Sequence, residues 1–220
     1  MPALTITPPL GPAGPDLKDG YEALWTTFAN EMRAWTRRVE DWAAGTEALH
    51  PFLESVQWTP KAKLREAVRV GDDTPNVGSA TGLFFEHVAA VAIEARIRSQ
   101  VEGSASHRNR LGTHVAGAGA RKQPDLILVN EATGRAVVFE FKTSPKSNNI
   151  DGVRGQKASW ETDPNVRFFL VAGYADGTVA ASLVGDEWAA VLRKKGDGSA
   201  AHTVDHLVAS AVRHLTAATP

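Results

Sequence analysis

The chain has 220 residues, 43% of them apolar, which suits one ordinary domain with a real core and argues against disorder throughout. Cysteine is absent, so disulfides and thiolate metal sites are excluded. Formal net charge is −1, which does not mark a dedicated nucleic-acid binder. The charge is unevenly placed, however: 103–124 contains no Asp or Glu, while Arg108, Arg110, Arg121 and Lys122 fall within it.

Residues 1–15, rich in Pro and Gly and without a basic start, read as a flexible arm and not a targeting segment. No apolar run approaches the roughly 18 residues of a membrane span, so a cytoplasmic protein with no membrane partner is expected. A helical region is expected over 16–78. In it Tyr21, Leu24, Trp25, Phe28, Met32, Trp35, Val39 and Trp42 recur at three- and four-residue spacing, a stripe that core packing explains better than ligand binding. A second helix is expected after Thr59 as N-cap, with Pro60 at its first position.

The remainder, 79–220, reads as the core domain. Ser79 or Thr81 caps a helix running to about Val101, and 103–121, without periodicity, reads as a long loop. Strands are expected over 125–130 and 135–142, joined by Glu131, Ala132, Thr133 and Gly134 as a hairpin loop. A helix over 150–160 and a buried strand over 166–174 complete a βαβ unit, which implies parallel pairing. A strand over 178–184 and helices over 186–195 and 204–216 close the chain. The expected fold class is α/β: a mixed β-sheet core flanked by helices.

The hairpin brings chemistry together. With a four-residue loop, Asn130 pairs with Arg135, and counting back places Asp125 opposite Glu140. Opposed residues have Cβ atoms about 4.5–5.5 Å apart. Alternation puts Glu140 and Lys142 on one face and Val137, Phe139 and Phe141 on the other. Two facing carboxylates repel, and a hard divalent cation such as Mg²⁺ relieves this with oxygen ligands. A plain hairpin salt bridge between Lys142 and Glu140 satisfies the same spacing. A third carboxylate, Glu86, shares a helix face with Ala90, Ile93 and Ile97, where an unpaired charge is costly. Its place near the helix N-terminus is the alternative account.

Pro124-Asp125, fourteen residues, then Glu140-Phe141-Lys142 resembles the signature of the PD-(D/E)XK nuclease superfamily, and Glu86 resembles the helix carboxylate of many members. Gln156 and Trp160 are similar to a Gln-x-x-x-Tyr element of one branch, with Trp in place of the Tyr. The resemblance covers about half of the chain. It implies a restriction-endonuclease-like core and Mg²⁺, with Mn²⁺ as substitute, held by Asp125, Glu140, Glu86 and the Phe141 carbonyl. It further implies Lys142 acting on the attacking water and the phosphate, and products with a 5′-phosphate and a 3′-hydroxyl.

The acid-free loop with Arg108, Arg110, Arg121 and Lys122, and the following Lys146, Asn148, Asn149, Arg154, Gln156 and Lys157, flank these residues along the sequence and suit contacts to phosphates and base edges. The expectation is a type II restriction endonuclease acting on double-stranded DNA. It would be a homodimer, since two-fold symmetry matches two antiparallel strands, with the Trp-bearing helices of 16–78 as the dimer surface. Two other readings stay open: a structure-specific or repair nuclease of the same superfamily, and a catalytically silent DNA-binding module.

Overall fold

A computed structural model of the chain describes residues 47–56, 77–102, 111–113, 124–183, 185–194 and 202–217, with single helical positions at 30, 34 and 37–39. The arm 1–15, the helix expected after Thr59 and nearly all of the Trp-bearing helix lie outside the described residues, as do Arg108, Arg110, Arg121 and Lys122.

The elements run in the order α1 (Val77–Glu102), β1 (Leu111–Thr113), β2 (Leu126–Asn130), β3 (Arg135–Lys142), α2 (Ser147–Trp160), β4 (Val166–Ala175), α3 (Gly177–Leu183), β5 (Ala189–Lys194) and α4 (Val204–Thr216). A short helical segment, 49–56, precedes α1. The strands form one mixed sheet in the order β1-β2-β3-β4-β5. β1–β2 and β2–β3 pair antiparallel, β3–β4 and β4–β5 parallel. The fold is therefore α/β, with helices on both faces of a mixed sheet, and the βαβ unit is present.

β3 is central, so both of its faces are covered. Val137, Phe139 and Phe141 pack with 49–56, α1 and α4, while Val138 packs with α2 and α3. Such a strand reads as a nearly continuous apolar run, and Glu140, 3% exposed, is the one charged interruption and the one buried charge among the described residues. The hairpin turn needs Gly134, whose φ of 69° suits glycine. The turn is anchored from behind: Asn130 Nδ2 and Thr133 Oγ1 donate to the Leu215 carbonyl at 2.9 and 3.0 Å, satisfying a carbonyl at the end of α4 that its own helix leaves open.

Three local expectations are corrected. In place of the strand expected over 178–184, residues 177–183 form helix α3, with Val179, Ala180 and Leu183 buried at helical spacing. In place of the helix expected over 186–195, residues 189–194 form β5, whose Ala190 and Leu192 face one core cluster and Ala189 and Val191 the other. A strand buried on both faces has no alternation to read. The loop over 103–121 is interrupted by the three-residue strand β1. The helix 49–56 lies within the region expected to be helical, with Leu49, Phe52, Leu53 and Val56 at i, i+3, i+4, i+7 and all buried in the same cluster as α1.

Candidate active site at the carboxyl end of β3

β2 begins at Leu126, level with Phe139, so the next position back, Asp125, falls opposite Glu140 as the hairpin count expects. Beyond this level β3 has lost its neighbour on that side. The Phe141 N–H, which would otherwise bond to β2, donates instead to Asp125 Oδ2 at 2.7 Å. In an extended strand the N–H and C=O of one residue point to the same side, so the Phe141 carbonyl opens toward the space beside Asp125.

Lys142 Nζ lies against that carbonyl. It donates to Phe141 O at 3.1 Å and to Glu140 Oε1 at 2.5 Å. The Glu140 side chain is 4% exposed and that of Lys142 24% exposed, so the charged pair sits at the mouth of the site with the carboxylate inward. The salt bridge that competes with the metal reading at the level of sequence is thus present. The Lys142 ammonium bridges the Glu140 carboxylate and the Phe141 carbonyl.

Glu86 reaches this end of the sheet from α1. The helix is held by Phe85, whose ring meets Phe141 edge-on with centroids 6.4 Å apart, and Phe141 stacks on Phe139 at 6.3 Å. Gly82, one turn earlier, lies close to the chain just past β3: a Cβ there would stand 3.4 Å from Thr143 Oγ1. Glu86 is half-buried, and its carboxyl is pushed up from the ordinary 4.5 to about 7. Burial is the main cause; the Asp125 carboxylate adds to it, Lys142 opposes it, and Glu140 contributes less. The site therefore gathers three carboxylates against one ammonium, an electrostatic deficit that a divalent cation offsets.

The donor set fits a hard cation: every candidate ligand is an oxygen, from Asp125, Glu140, Glu86 or the Phe141 main chain. Among the described residues no three His, Asp or Glu side chains converge tightly enough to hold a metal unaided, so main-chain oxygen and water would have to complete such a site. Neither a protein-family model nor any curated protein matches this chain in sequence. The chemistry therefore rests on the geometry.

The remaining expected DNA contacts are spread over α2. Lys146, Asn148 and Asn149 are exposed at its start, four to seven residues past Lys142, and Asn149 Oδ1 accepts from the Lys146 N–H at 3.0 Å. Later turns point elsewhere. Arg154 donates to the Ser182 carbonyl at 2.6 Å and faces Asp186 at 3.4 Å. Gln156 is half-buried with its amide oxygen enclosed. Lys157 pairs with Glu161 and lies 5.8 Å from the centroid of Trp188, which packs on Phe168, level with Val138 on β3. The structure thus does not bring Arg154 or Lys157 to the carboxyl end of β3. Phe85, which positions Glu86, is absent from the set chosen by sequence; its adjacency to Glu86 in a helix was the available signal.

Proposed function

We propose that the protein is a Mg²⁺-dependent endonuclease hydrolysing phosphodiester bonds of double-stranded DNA, with a restriction-endonuclease-like core and the role of a sequence-specific type II restriction endonuclease. The observation that carries this reading is the convergence at one strand end of Asp125, Glu140, the Phe141 carbonyl and Lys142, with Glu86 facing them.

Bound Mg²⁺, or Mn²⁺ in its place, supplies a Lewis acid for the phosphate and lowers the pKa of a bound water. Asp125 is oriented by the Phe141 N–H, and Glu140 by its burial and by Lys142. Lys142, at the mouth, orients the attacking water and offsets the charge that develops on the phosphate oxygens. Glu86, from α1, would hold a second ion or a metal-bound water. Lys146, Asn148 and Asn149 stand beside this mouth and suit contact with the DNA backbone and base edges.

A homodimer suits a cut in both strands. The segment 49–56 buries its apolar side in the core of its own chain, so the dimer surface is assigned to other parts of 16–78. Incubation of plasmid DNA with the protein in Mg²⁺ and in excess EDTA tests the function. Discrete fragments with 5′-phosphate ends, seen in Mg²⁺ alone, are expected. Equal cutting in EDTA, or cutting confined to branched DNA, would overturn the reading.

A further inference from the structure

A glycine stands inside α1 at a position where nothing in the fold requires one. Gly82 lies more than a turn from the start of the helix (Val77–Glu102), where glycine is the poorest helix former after proline. A left-handed backbone does not account for it: among the described residues only Gly134 and Gly185 have positive φ. Crowding does not account for it either. A Cβ at residue 82 would meet Thr143 Oγ1 at 3.4 Å, an ordinary contact, and, its own helix aside, no other atom of the described residues within 4 Å. Alanine fits here and would strengthen the helix.

Its place relative to the candidate site is distinctive. Phe85 meets Phe141, and one turn back Gly82 meets Thr143, so α1 runs antiparallel to β3 and Gly82 lies further out past the strand end than Phe85. Gly82 and Glu86 are four residues apart on one helix face, where Cβ positions are about 5–6 Å from each other. Glu86 in turn faces the charges of Asp125, Lys142 and Glu140. Gly82 is therefore the outer neighbour of Glu86, partly exposed at the lip of the site and beside the residue that follows Lys142. Close approach of a ligand to the helix backbone is a reason for glycine that the chain's own packing does not contain.

We propose that Gly82 is the access position of the site: its bare Cα lets the sugar–phosphate backbone next to the scissile phosphate lie directly on α1. This rests on the nuclease reading above and adds to it a steric determinant for DNA entry. The helix gives up stability at this position in exchange for approach, and a side chain here would stand between the DNA and the end of β3 without touching the groups that hold a cation.

Gly82→Ala and Gly82→Leu test this through thermal melting in EDTA, Mn²⁺ titration without DNA, binding of a fluorescein-labelled duplex in EDTA, and plasmid cleavage in Mg²⁺. Gly82→Ala should melt about 2–4 °C above wild type and cut DNA several-fold more slowly. Gly82→Leu should bind Mn²⁺ as wild type does and bind the duplex about tenfold more weakly, because its side chain blocks the approach. A glycine that the fold itself needs would behave in the opposite way, with stability and cleavage falling together. Gly82→Ala cutting at the wild-type rate overturns the proposal, and decides the matter alone should Gly82→Leu fail to fold. Gly82→Leu with wild-type duplex affinity, or with Mn²⁺ binding lost alongside DNA binding, overturns it as well. A wild-type protein that neither binds nor cuts DNA overturns the nuclease reading instead.

Discussion

Replacing Glu86 with Gln separates a functional carboxylate from a structural one. A carboxyl whose value rises from 4.5 in the unfolded chain to about 7 in the fold binds its proton more tightly when folded. Stability from this group is therefore highest at low pH and falls as pH rises from about 4.5 to about 7. A fully enclosed group would lose about 3 kcal/mol over that interval. Solvent reaches half-buried Glu86, which reduces the expected loss to roughly 1–1.5 kcal/mol. Gln keeps the shape and cannot ionise. The variant should match the wild type near pH 4 and exceed it by roughly 1–1.5 kcal/mol above pH 8, where the wild type carries the charge facing Asp125. Mg²⁺ should narrow the gap, because it stabilises the wild type, with its additional carboxylate, more than the variant, and Mg²⁺-dependent cleavage by the variant should fall sharply. Urea denaturation at both pH values, with and without Mg²⁺, measures the first effect and a plasmid assay the second. A variant that is less stable than wild type at pH 8 and still fully active would show that Glu86 serves the helix and not the site.

Three further outcomes follow from the same geometry. Asp125→Ala and Glu140→Ala should abolish Mg²⁺-dependent cleavage while leaving DNA binding, followed by fluorescence anisotropy, largely intact. Lys142→Ala should slow single-turnover cleavage by orders of magnitude and, by leaving the Glu140 carboxylate without its partner, lower stability in EDTA by roughly 2–3 kcal/mol; Lys142→Arg should restore stability better than rate, because a planar fork does not replace a compact ammonium. Phe85→Ala should cost roughly 3–4 kcal/mol in a denaturant titration, since the ring is 1% exposed and packs on Phe141, and should reduce cleavage further than that loss explains by loosening Glu86.

The parts of the fold legible in the sequence are those written in local pattern. The β2–β3 hairpin follows from a glycine, Gly134, in a turn between two apolar runs, and the residue count across that turn sets Asp125 against Glu140. α4 matches its expected bounds because its apolar face is strongly periodic and Thr203 caps it, accepting from the His206 N–H. Illegible parts depend on distant partners. The segment 49–56 is capped by Asp205, whose carboxylate accepts from the Leu49 and His50 N–H groups from 155 or more residues away. β5 is a strand because β4 pairs along one of its edges and the two core clusters cover both of its faces, whereas its Ala, Leu, Arg and Lys content favours a helix. At the site, the residue types were visible in the sequence. Of the contacts that orient them, the Lys142–Glu140 pair is legible as a same-face i,i+2 salt bridge, whereas the Phe141 N–H on Asp125 and Lys142 on the Phe141 carbonyl depend on β2 starting only at Leu126.

The central claim is that Asp125, Glu140 and the Phe141 carbonyl form one cation site. Titration of Mn²⁺ into the protein without DNA, followed by the loss of the free-ion electron paramagnetic resonance signal, measures it most directly. The account predicts saturable binding that Mg²⁺ competes away and that Asp125→Ala and Glu140→Ala each weaken at least tenfold. Binding of the same strength in wild type and both variants, or no binding in the wild type, would contradict it.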